Sequence, residues 1–211
     1  QSLALHEAIG DLTAIVMSLQ SRRIRDWIIR ECGGRLLGDS SISRLGDQFG
    51  QAIGLERGLR DASDPVALKD ATTEEPHNLS RVLTGAFWAS MVKIHNTRMD
   101  RASKNSDISM QDSSNKILAV SALCIGRMLF RALDYLVPAE ATFADYCRAV
   151  IRADQVGYPE DINGYRKIFQ DEFISHGIVN NASELESKPE EEWVQVNLDD
   201  ILESEWAAFA F

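Results

Sequence analysis

Apolar residues recur at helical spacing along most of the chain. Leu5, Ala8, Ile9, Leu12, Val16 and Leu19 trace one stripe of a helix over residues 3–19, and a second pattern carrying Ile24, Trp27 and Ile28 runs until Gly33-Gly34 stops it. The first helix is expected to be central and buried. Ile42, Leu45, Phe49, Ala52 and Ile53 predict a third helix over 40–53, with Gly54 as its terminator. Irregular chain follows from Gly58, where Asp64-Pro65 marks a turn. A loop continues through Thr72 to His77.

Leu79, Val82, Leu83, Ala86, Phe87, Ser90 and Ile94 then form a long helical stripe with its N-terminal end at His77 or Asn78. Residues 97–116 are rich in Ser, Asn and Asp without a period, which predicts a flexible loop or insertion. The next helix is predicted over about 115–136, stopping before Pro138. Thr142 can cap another carrying Phe143, Tyr146, Cys147, Val150 and Ile151. One more spans about 161–176, with Gly177 as a left-handed cap.

The alternation Trp193-Val194-Gln195-Val196-Asn197-Leu198 is the one strand signal. It lies in an acidic tail, 183–211, whose last apolar residues, 206–211, are expected to pack back on the domain. The organisation read from the pattern is a helical domain over 1–182 followed by that tail. The class is mainly α, an irregular helical bundle without heptads.

Composition narrows the function classes. A chain of 211 residues, 45% hydrophobic and 26% charged, has the makings of one sizeable globular core. Its formal net charge of -10 argues against non-specific nucleic-acid binding and against docking on an anionic membrane. Neither a bilayer-spanning run nor a secretory signal is expected from the sequence. Cys32, Cys124 and Cys147 stand at unrelated spacings with no C-x-x-C pair, so they read as small buried hydrophobes.

Candidate chemistry begins on the first helix, where Glu7 and Asp11 stand four residues apart and share a face. Their surroundings are apolar enough that a buried carboxylate there needs a partner such as a metal, His or Arg. The alternative is an exposed or capping acidic pair. Arg60 in the loop beside Asp61 and Asp64 reads either as an exposed ion pair or as a site residue. His77, at the mouth of its helix, reads as a cap or as a residue facing a cleft. His95 and His176 read as structural, and His6 points about 100° away from Glu7 on the helix, more a neighbour than a partner.

Taken in order, these features resemble the C-terminal helical lobe of the thermolysin family of zinc metallopeptidases, the gluzincins. Glu7-Ala8-Ile9-Gly10-Asp11 is similar to the family's E-x-x-x-D helix. Leu59-Arg60-Asp61-Ala62-Ser63-Asp64-Pro65 and Pro76-His77-Asn78-Leu79-Ser80 follow in family order. So do Ile125-Gly126-Arg127-Met128-Leu129-Phe130-Arg131-Ala132-Leu133-Asp134-Tyr135-Leu136 and Thr142-Phe143-Ala144-Asp145-Tyr146. The likeness is collinear over most of residues 3–173.

The resemblance implies that Glu7 is the third protein ligand of a catalytic zinc and Asp11 the carboxylate that orients a metal-bound His. It implies that Arg60 contacts a substrate carbonyl, that Leu59 lines the pocket for the side chain after the cut bond, and that His77 donates to the oxyanion. The implied substrate is a peptide or protein, and the implied location of such an enzyme is secreted. The family's H-E-x-x-H motif, which carries two zinc ligands and the general base, occurs nowhere in this chain. Other departures are Arg81 in place of a Gly after Ser80, Leu79 between His77 and Ser80 in place of an Asn, and only Glu74 or Glu75 as an acidic partner before His77.

Two functional readings follow. In one, the chain is the C-terminal catalytic-lobe portion of a zinc peptidase whose H-E-x-x-H lobe lies elsewhere, and the isolated chain is not expected to bind zinc or to be active. In the other, it is a catalytically inactive helical interaction module derived from that scaffold.

Overall fold

The computed structural model describes residues 1–45, 60–71, 75–104, 110–136, 140–186 and 204. Six helices occur among them: α1 (Ser2–Ser18), α2 (Arg22–Glu31), α3 (Pro76–Ser103), α4 (Met110–Arg131), α5 (Phe143–Gly157) and α6 (Tyr165–Ser175). The mainly α class read from the apolar periodicity is the observed one.

The helices end where local chemistry requires it. Thr142 caps α5 reciprocally with Asp145: its side chain accepts from the Asp145 N–H while the Asp145 carboxylate accepts from the Thr142 N–H. After α6 the chain passes through Gly177 at φ 65°, and the Ile178 N–H returns to the Phe173 carbonyl at 2.9 Å. Between α1 and α2 the axis bends by 94° at a short break. The Arg25 guanidinium caps that corner, donating to the carbonyls of Leu19 and Gln20. No single helix among the described residues is long and apolar enough to cross a membrane.

α3 is the axis of the bundle. It packs most extensively on α1 and then on α4 and α6, while α2 lies on α4, and α5 joins the far side through the turn that follows α4. Its buried residues, among them Leu79, Val82, Leu83, Ala86, Phe87, Trp88, Met91 and Ile94, occupy more than one stripe, as expected of a helix enclosed by neighbours. The Phe87 ring sits among Tyr146, Phe169 and Phe173. Two buried polar handles in this core are satisfied: Trp88 Nε1 donates to the Gly38 carbonyl at 2.7 Å and the Tyr146 hydroxyl to the Leu129 carbonyl at 2.6 Å. Where α4 crosses α1, a Cβ on Gly126 would meet Val16 Cγ1 at 3.0 Å, so the missing side chain permits the close approach.

Three expectations differ from the structure. Residues 97–103 continue α3 and residues 110–116 begin α4, so only a short connection separates two long helices where a loop over 97–116 was predicted. Its polar residues are held by distant partners that local periodicity cannot show. Asp100 pairs with Arg35, Arg101 donates to Asn163, and buried Asn115 receives the Arg25 Nε at 2.9 Å. The helix predicted over 40–53 is a turn at its start, with Arg44–Leu45 forming a two-residue strand against Arg60–Asp61. Residues 46–53 lie outside the described ones. The last helix starts at Tyr165 rather than near Asp161, because the Asp161 carboxylate accepts from the N–H groups of Tyr165 and Arg166 ahead of it. The strand predicted at 193–198 and the apolar end at 206–211 fall outside the described residues.

Candidate functional site

One helical turn separates Glu7 from Asp11 on α1. Asp11 is buried, and the Glu7 side chain is one-third exposed, so this face of α1 passes from core to surface between the two carboxylates. α3 enters opposite it. Pro76 occupies the first turn, where its missing N–H costs nothing, and makes His77 the second residue of the helix. The apolar residues of the two helices, including Ala8 and Leu12 on α1 and Leu79, Val82 and Leu83 on α3, belong to one core cluster. That packing fixes the approach of the two polar edges. His77 Nδ1 lies 3.2 Å from Glu7 Oε2.

Among the described residues an acidic partner of His77 is thus Glu7, from a helix far away in sequence, while Glu74 lies outside them. Glu75, one of the two nearby acids expected for that role, instead accepts from the Asn78 side chain at 2.8 Å. The Ser80 hydroxyl turns back to the His77 carbonyl at 2.8 Å and stiffens the first turn.

The segment carrying Arg60 is tied along the same end of α3. The Asp61 carboxylate accepts from the Ser63 N–H at 2.9 Å and from its hydroxyl, closing a turn. Asp64 pairs with Arg81 on α3, which gives that departure from the family pattern a structural role. Gly85 allows the Asp64 carbonyl and the His176 ring to approach α3, since a Cβ there would lie 3.4 and 3.2 Å from them. The Leu68 N–H is then bonded to the His176 carbonyl at 2.8 Å. Arg60 itself is placed by its backbone pairing with Leu45, and Leu59 lies outside the described residues.

A zinc ion in a catalytic site takes three protein ligands and keeps one position open. No group of three or more His, Cys, Asp or Glu side chains among the described residues is arranged to hold a metal. The described residues of this chain alone therefore do not fit a zinc site. What they assemble is a carboxylate and an imidazole at hydrogen-bond distance on a partly open surface. When protonated, such an imidazole is a charge-assisted donor toward an anionic oxygen.

Elsewhere, His95 and the three cysteines are buried in the core. His95 donates from Nε2 to the Gly34 carbonyl at 3.2 Å, and burial holds its basicity below that of free histidine. Burial pushes the Cys147 thiol well up, in keeping with an inert core cysteine. All three cysteines are free and buried.

Two charged clusters escaped the sequence reading. Glu172 pairs with Lys93 and lies 3.7 Å from His176; the four-residue spacing of Glu172 and His176 was a visible signal for that contact. Asp154 is held by Arg127 at 2.7 Å and by Arg166 at 3.4 Å, across three helices and without any local signal. Burial raises the Asp154 carboxyl above the usual range even though both guanidinium groups pull it down.

No family model, no curated protein and no solved structure matches this chain.

Proposed function

We propose that this chain is the helical lobe of a zinc-dependent peptidase and forms one wall of its active-site cleft. The observation that supports the reading is the meeting of Glu7 and His77 at 3.2 Å, two residues to which the resemblance gives one site.

On this reading Glu7 would be one of the residues that hold a metal, and the others would have to come from an H-E-x-x-H segment outside this chain. The metal, when bound, supplies Lewis-acid polarisation of a peptide carbonyl and activation of water. The chain's own residues do the rest. Asp11, buried one turn along, orients a ligating imidazole from the other lobe. The resemblance gives Arg60 a substrate carbonyl, and Leu59, to which it gives the adjoining pocket, lies outside the described residues. His77 donates to the oxyanion of the tetrahedral intermediate, where removal of one such donor costs about 100- to 1,000-fold in turnover.

The test is made on the complete native protein. Its N-terminal sequence is read by mass spectrometry, and zinc content and casein hydrolysis are measured for it and for Glu7→Gln and His77→Phe. The expected result is H-E-x-x-H within about 20 to 30 residues before Gln1, stoichiometric zinc that is lost in Glu7→Gln, and retained zinc with depressed kcat in His77→Phe. A native protein without the motif, or Glu7→Gln with unchanged zinc and activity, overturns the proposal and leaves the inactive interaction module.

A further inference from the structure

A second cleft, about 520 Å³, opens between the C-terminal half of α3, the middle of α4 and the connection from α5 to α6. That volume is in the range of small-molecule sites. None of Glu7, Asp11, Arg60 or His77 lines it. Its lip is apolar: Val120, Leu123 and Ile162 are 42%, 58% and 88% exposed, with Tyr158 beside them. Such a concentration of exposed large side chains around one opening marks a binding surface rather than scattered surface apolarity.

The inner wall is charged. Arg127 is committed, stacked 3.6 Å over the Tyr158 ring and paired with Asp154. Arg98 is not. It stacks on Tyr165 at 5.2 Å, its Nε is buried without a hydrogen-bond partner, and no carboxylate among the described residues lies within ion-pair distance of it. The Tyr165 hydroxyl beside it, on a residue only 4% exposed, is buried without a conventional hydrogen bond and has the Arg98 guanidinium as its polar neighbour. A half-buried guanidinium with a buried Nε that makes no hydrogen bond and no ion pair gains from an anion that completes it. The acids nearby do not serve: Asp154 belongs to Arg127 and Arg166, Asp161 to the start of α6, and Glu160 faces solvent.

We propose that this cleft binds a small organic monocarboxylate with an apolar body, its carboxylate on Arg98 and its body against Leu123, Ile162 and Tyr158. One uncompensated guanidinium matches one negative charge. A phosphate dianion would leave a second charge facing Glu160 and Asp161 at the rim.

The test is isothermal titration of the full chain with phenylbutyrate, and with phenylbutyramide, which keeps the body and loses the charge. Saturable binding of the carboxylate, about tenfold tighter than the amide, is expected, the difference being that of one charge-assisted contact. Arg98→Met should bring the carboxylate down to the affinity of the amide, and Leu123→Asp, at an exposed position, should weaken both by about tenfold. Equal affinity of the two compounds for the unaltered chain, or no saturation with phenylbutyrate, overturns the proposal even if Arg98→Met does not fold. A folded Arg98→Met chain that binds the carboxylate undiminished overturns it as well.

Discussion

Phe87 joins α3, the helix that carries His77, to α5 and α6. It is fully buried, and its ring lies 5.1, 5.8 and 6.1 Å from those of Phe169, Phe173 and Tyr146, with the Phe169 contact edge-on. Phe87→Ala removes the buried ring and leaves a cavity walled by three aromatics on two other helices, which cannot collapse without moving α5 or α6. Buried Phe→Ala changes cost about 3 to 5 kcal/mol, and the paired rings place this one near the top, at about 4 to 5 kcal/mol. Phe87→Leu keeps most of the volume and loses the ring contacts, for about 1.5 kcal/mol. Urea unfolding followed by tryptophan fluorescence reads both. With a slope of about 2.5 kcal/mol per molar, Phe87→Ala should lower the midpoint by about 1.5 M or more at unchanged slope, and Phe87→Leu by about 0.5 M. A Phe87→Ala shift below about 0.5 M, or a Leu variant as damaged as the Ala one, would refute the view that these rings act as one packed unit.

Two further outcomes are expected. Asp154→Ala leaves Arg127 and Arg166 partly buried without their carboxylate and should cost about 3 kcal/mol in urea unfolding; a loss under about 1 kcal/mol would mean that solvent already screens the cluster. The basicity of His95 is depressed by burial, so below about pH 6.5 the unfolded chain binds the proton that the folded chain refuses. The stability that neutral His95 supplies is therefore present above that pH and lost as pH falls, and His95→Gln should flatten the fall between about pH 6.5 and 5. Unfolding midpoints with the same pH dependence in both chains would contradict this.

Helix positions were legible in the sequence wherever one apolar stripe faced one core, as in α1, α2 and α5, and wherever a cap was local, as at Thr142 and Gly177. The stretch 97–116 was misread because its order comes from Asn163, Arg35 and Arg25, far away in the chain. Glu7 and Asp11 could be named from their four-residue spacing on a helix and His77 from its place at a helix mouth, while the roles given to them rest on the resemblance alone. That Glu7 meets His77, while Glu75 turns to Asn78, is a matter of how α1 docks on α3. The Arg98 cleft had no sequence signal at all. Its walls come from four helices and a loop, and Arg98 stands out only because the fold leaves its buried Nε without a partner. Periodicity and capping act over a few residues and are written in the sequence; charge pairing and cavities depend on which distant segments the core brings together, and only the tertiary structure decides them.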